Sequence, residues 1–145
     1  MEKPSVKDMM VAFSQDAVEH AKASAGVNLD YSLESIRQVE AILGELFDAM
    51  PRGLFGRLFQ KGPSADDVSA VCQMYGGYLG EVVRRTGGGD WTLDTEGVAG
   101  EKTVCLRKGD KRVCPPALVR KRLTNGEADN VWLYFQALIT DEWRS

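Results

Sequence analysis

Cys105 and Cys114 are the residues of this 145-residue chain whose types and spacing point most directly to chemistry. They sit in TVCLRKGDKRVCP, where Gly109-Asp110 reads as a two-residue hairpin turn with glycine first. That register pairs Lys108 with Lys111, Arg107 with Arg112, Leu106 with Val113, and Cys105 with Cys114. Opposed cysteines in such a ladder have Cβ atoms close enough for a cross-strand disulfide. Three readings follow: a structural disulfide, two inert thiols, or a redox pair whose thiolates Arg107 and Arg112 favour. Leu106, Val113 and Val104 are expected to face the core, and the arginines and cysteines to face outward.

Other familiar chemistries lack their spacing. The run Gly87-Gly88-Gly89-Asp90 follows a helix and precedes a strand, which presents the wrong helix end to an anion. Gly97 to Thr103, GVAGEKT, has too few residues between its glycines for a phosphate loop and a glutamate before its lysine. The single histidine, His20, has no second histidine to share a metal, and the three cysteines lack C-x-x-C spacing. No elbow motif places a nucleophilic serine. No cofactor or metal is therefore expected.

Glu81 and Trp91 remain as a candidate ligand site, with Arg84 or Arg85 as partners that would make Glu81 a structural ion pair instead. Arg107, Lys108, Lys111, Arg112, Arg120, Lys121 and Arg122 form a basic set able to hold phosphate or an acidic partner, or simply a solvated surface. Few aromatics interleave with it, which argues against nucleic acid.

The elements that would position these residues follow from periodicity. Ser5 caps a first helix with Asp8 in its first turn, and Val6, Met9, Met10, Phe13, Ala17 and Ala21 recur at helical spacing. A second helix follows a cap at Ser32 and ends near Met50, with Leu33, Ile36, Val39, Ile42, Leu43, Leu46 and Phe47 as its apolar stripe. A long central helix starts at Ser64 with Val68, Val71 or Cys72, Tyr75, Tyr78 or Leu79, and Val82 facing inward. Gly76, Gly77 and Gly80 cost this helix about 1 kcal/mol each relative to alanine, so another backbone is expected to pack closely against them. Trp91 opens a strand, the hairpin follows, Pro116 starts a short helix through Leu123, and a last helix carries Val131, Trp132, Phe135, Leu138 and Ile139. The expectation is an α+β fold over residues 1–145 as one domain, with helices from both ends packed on a small antiparallel sheet.

Tyr78-Leu79-Gly80-Glu81, Gly88-Gly89-Asp90-Trp91, and the later Pro116, Val119, Arg122, Leu123, Asn125-Gly126 and Asp129-Asn130-Val131 resemble a bacterial domain family of unassigned function. The resemblance runs from about Leu29 to Leu138. It implies a small α+β fold and no established catalysis. The segment PRGLFGRLFQKGP, Pro51 to Pro63, departs from that pattern: Leu54, Phe55, Leu58 and Phe59 recur at helical spacing among basic residues, either as an amphipathic turn for a partner or membrane face or as a lid across the core.

Charge divides the chain. Residues 1–50 carry nine acidic and four basic side chains and residues 101–145 six acidic and nine basic, within a net charge of -3. No apolar run approaches the roughly 18 residues of a membrane span and no hydrophobic signal core opens the chain. A cytoplasmic location is expected, or a periplasmic one if a leader has been removed and Cys105 and Cys114 are bonded. The reading that fits best is a non-enzymatic protein-binding protein, in its most concrete form an immunity protein that neutralises a bacterial toxin. Its candidate surface is Glu34, Glu40 and Glu45 with Leu54, Phe55, Leu58 and Phe59. The alternative is a small-ligand or thiol-redox protein using Glu81, Trp91 or the Cys105/Cys114 pair.

Overall fold

The structure is a computed structural model and describes residues 4–50, 65–95 and 102–143. Its elements, in order, are α1 (Val6–Ala25), α2 (Ser35–Ala49), α3 (Ala65–Gly87), β1 (Asp90–Thr95), β2 (Lys102–Lys108), β3 (Lys111–Val113), α4 (Pro115–Asn125), a 3-10 turn (Gly126–Asp129), α5 (Val131–Ala137) and a π turn (Leu138–Glu142). The fold is α+β, with a three-stranded antiparallel sheet of order β1-β2-β3.

Helix α3 is the axis of this arrangement. It packs against α1 on one side and α4 on another, while α2 packs on α4 and α5. Residues 75–83 are all buried, so this stretch has no solvent face. A helix enclosed on all sides needs places where its neighbours can come close, and its glycines supply them. A Cβ on Gly76 would lie 2.6 Å from both N and Cα of Pro116, at the start of α4. On Gly77 it would lie 2.8 Å from the Met10 carbonyl oxygen of α1, and on Gly80 it would enter the Trp91 indole. The expected backbone contacts occur at the first two positions, and an aromatic ring takes the third.

Gly76→Ala is accordingly expected to destabilise the protein by about 1–3 kcal/mol, as overpacking does, even though alanine is the better helix former by about 1 kcal/mol. The obstacle is backbone, which cannot rotate away. A urea titration followed by circular dichroism reads the change, and an unchanged or higher midpoint would contradict the close approach.

Ser5 and Ser32 both act at helix starts, the second with a shift, and Ser64 lies outside the described residues. Ser5 and Asp8 form a reciprocal capping box at α1. Ser32 Oγ accepts from the Ser35 amide at 3.2 Å, so Ser32 closes the turn that leads into α2 while the helix itself starts at Ser35. The hairpin has the expected register, with Leu106 opposite Val113 and Lys108 opposite Lys111. Gly109 carries a positive φ of 59° and Asp110 does not, as a turn with glycine in first position requires. Beyond α5, Trp143 is 1% exposed and its indole donates to the Gly88 carbonyl at 2.8 Å, so the end of the chain closes over the glycine run.

Candidate functional site

The Glu81–Trp91 centre arises where the end of α3 meets β1. Gly80 leaves room for the Trp91 ring, and that places the indole Nε1 2.9 Å from Glu81 Oε2. Arg84, one helical turn on, donates from Nε and Nη2 at 2.6 and 2.8 Å, and Arg85 from Nε at 3.3 Å. Glu81 is fully buried, and these donors occupy both of its oxygens. Burial pushes its carboxyl pKa up, but the Arg84 fork, the Trp91 indole and the two positive charges outweigh this and hold it below the ordinary value. An ionised, saturated carboxylate of this kind is a clamp between helix and sheet rather than a proton donor.

A second polar set lines α3 toward α1 and α2. Tyr78 Oη accepts from the Tyr31 amide and meets Ser35 Oγ, both at 2.7 Å, while Ser14 Oγ meets Tyr31 Oη at 3.0 Å. The Arg85 guanidinium stacks 3.7 Å from the centre of the Tyr31 ring. Tyr31 has φ 64°, a conformation uncommon outside glycine, and these contacts hold it there. His20 Nδ1 lies 2.7 Å from Tyr75 Oη, so the lone histidine is satisfied, as its half-buried position on α1 suggests. Burial raises the phenol pKa of both Tyr75 and Tyr78.

Cys105 and Cys114 are joined, with Sγ atoms 2.01 Å apart and Cα atoms 4.0 Å apart. The expected outward orientation fails for Cys105, which is fully buried. The arginines meant to flank it turn instead to Asp94 on β1: Arg107 donates from Nε and Nη2 at 3.0 and 2.7 Å, with Arg112 Nη1 at 3.5 Å. The Arg107 bonds, then that of Thr92, hold the Asp94 carboxyl below its usual range. An acid on β1 thus draws the arginines of β2 and β3 into a cross-strand charge cluster rather than toward the sulfur atoms.

The rest of the basic set disperses too. Lys108 Nζ donates to the Trp143 carbonyl at 2.8 Å, Arg120 donates to Ser69 Oγ at 3.1 Å, and Arg122 is 3% exposed. Arg122 reaches across from α4 to Glu40 of α2, with Nε 3.0 Å from both carboxylate oxygens and Nη2 2.8 Å from Oε2. Glu40 Oε1 also accepts from the Val131 amide at 3.0 Å, so one carboxylate ties α2 to α4 and to the start of α5. Glu40 was a candidate partner contact; its charge is already committed inside the protein.

Above this pair lies an open concavity of about 350 Å³ lined by Glu40, Gly44, Glu45, Phe47, Asp48, Arg122 and Glu127, together with Ala41. Glu45, Asp48 and Glu127 are exposed around a partly buried Phe47. Glu34, the remaining acidic candidate, is exposed and paired with Arg37 at 2.9 Å, a surface contact worth about 0–1 kcal/mol. Leu54, Phe55, Leu58 and Phe59 lie outside the described residues. Asp48, Glu127 and the inward role of Arg122 were missed from sequence. Gly44 was the available signal: a Cβ there would lie 3.0 Å from Arg122 Nη2, and a glycine one turn after Glu40 inside a helix marks such an approach.

Among the described residues no helix is long and apolar enough to cross a membrane, and no group of three or more histidine, cysteine or acidic side chains is placed to hold a metal ion. No protein family, curated protein or solved structure matches the chain at a significant level.

Proposed function

We propose that this protein works by binding another protein through the acidic end of α2, as an immunity protein that neutralises a basic bacterial toxin. The observation that carries the reading is the concavity of Glu45, Asp48 and Glu127 around Phe47. Its lining holds four carboxylates against one guanidinium, which pairs with Glu40 and, at 3.3 Å, with Glu127, and the balance is negative. An aromatic floor inside a charged rim is the anatomy of a contact that excludes water at its centre and steers a partner of opposite charge from a distance. Glu34, at the start of α2, is paired with Arg37 and does not line this concavity.

The residues behind the resemblance to a bacterial family of unassigned function support this division of labour. Gly80, Glu81 and Trp91 form the helix-to-sheet clamp, Gly88 receives Trp143, and Arg122 and Val131 hold Glu40. They build the frame and leave the surface to determine the partner. The Cys105–Cys114 bond favours an oxidising compartment and so the periplasmic version of the proposal. The rival reading, a small-ligand or thiol-redox role for Glu81, Trp91 or the cysteine pair, has less to stand on, because Glu81 is saturated and Cys105 is fully buried.

Affinity capture of the tagged protein from its native lysate, run beside a Glu45→Lys/Asp48→Lys variant, tests the proposal. The expected result is a stoichiometric basic partner retained by the native chain and lost by the variant. A partner retained equally by both would place the interface elsewhere. Both substitutions are at exposed positions, and matching circular dichroism spectra would establish that the variant is folded.

A further inference from the structure

On the side of the molecule formed by α1, α3, α4 and the sheet, a groove of about 1100 Å³ opens between the elements, above the usual range of about 300–1,000 Å³ for small-molecule sites. Its walls include Met9, Met10, Phe13, Leu93, Val104 and Pro116. Met9 and Leu93, 47% and 49% exposed, stand on α1 and β1 as two of the large apolar side chains the described surface leaves open to water. Met9 was expected on the buried stripe of α1, and it instead faces this groove.

Among the described residues the charge of the lining is one-sided. Lys102, Arg120 and Lys121 contribute to it, and among the described residues no carboxylate does. In a chain of net charge -3 that is a local reversal, and it selects for an anionic occupant. The lining selects further. It runs from the exposed Met9 and Leu93 to Met10 and Cys72, only 2% and 3% exposed, so an apolar occupant can extend from the surface to the core. Methionines at both the mouth and the floor adapt readily to a flexible chain.

We propose that this groove binds a long-chain fatty acid, with the alkyl chain along Met9, Met10, Phe13, Leu93 and Val104 and the carboxylate held by Lys102 and Lys121. The site is separate from the acidic end of α2 and does not depend on the protein-binding reading.

The test is a fluorescence titration of the full chain with cis-parinaric acid, followed by competition. Saturable one-to-one binding is expected. Palmitate should displace the probe, and hexadecanol, which lacks the charge, should do so about tenfold less well. Lys102→Glu/Lys121→Glu should weaken binding by about tenfold, and Leu93→Asp should weaken it at least as much. Absence of saturable binding by the native chain would overturn the proposal, as would equal competition by hexadecanol, indifference to both variants, or displacement by an acidic amphipathic peptide but not by palmitate.

Discussion

Replacing Arg122 with methionine is expected to cost about 3–5 kcal/mol of folding stability, the range for removing one partner of a buried ion pair. The side chain of Arg122 is 4% exposed and that of Glu40 13%, so neither charge has much water to fall back on. Methionine fills a similar space but leaves the Glu40 carboxylate with the Val131 amide as its remaining close donor. The cost is chiefly that of stranding a charge, not of losing a favourable contact. Glu40→Gln/Arg122→Met should therefore recover part of the loss, giving a coupling of about 0.5–3 kcal/mol in a double-mutant cycle. Guanidinium denaturation of the four proteins measures it. A loss below 1 kcal/mol for Arg122→Met, or strict additivity, would show that the pair is solvated and that α2 is held to α4 by other contacts.

Glu81→Ala is expected to fall in the same range, about 3–5 kcal/mol, because it strands the buried Trp91 N–H and removes the anion that Arg84 and Arg85 bracket. The pH dependence separates this clamp from mere packing. The Glu81 carboxyl titrates lower in the folded protein than in the unfolded chain, where the ordinary value is about 4.3. The unfolded state therefore binds the proton first as pH falls. The stability Glu81 contributes is complete above the unfolded value and is lost as pH drops through the lower folded one. Asp94 and Asp30, whose pKa values are also lowered, add to the decline in the native protein. Glu81→Gln should be less stable near neutrality and should lose stability less steeply between about pH 5 and pH 3. Parallel pH profiles for the two proteins would contradict an ionised Glu81 at the helix-to-sheet junction.

The frame was legible in the sequence where a local rule decided the outcome. Ser5 with Asp8 gave the start of α1, Gly109-Asp110 set the hairpin register, and Gly76, Gly77 and Gly80 marked the close approaches to α3. Periodicity could also have reached Trp143, which continues the spacing of Phe135 and Ile139 and is buried with them. What was not legible depends on contacts between elements far apart in the chain. Arg122 sits in a basic run that reads as solvated, and only the packing of α4 on α2 turns it toward Glu40. Arg107 and Arg112 were read against their neighbouring cysteines, yet Asp94 on β1 claims both. Charge counting located the acidic half of the chain, but it treated Glu34, Glu40 and Glu45 alike. The ion pair of Glu40 with Arg122 divides that set, and Asp48 and Glu127 join Glu45 at the concavity.

The acidic end of α2 as the working surface is tested most directly by the ionic-strength dependence of association with the captured partner. Stopped-flow association rates for the native chain should fall steeply between low and physiological salt, where the screening length shortens from about 30 Å at 0.01 M to about 8 Å at 0.15 M. Glu45→Lys/Asp48→Lys should slow association at low salt and flatten that dependence. A native rate indifferent to salt, or a variant that associates as fast as the native protein at every ionic strength, would contradict the account.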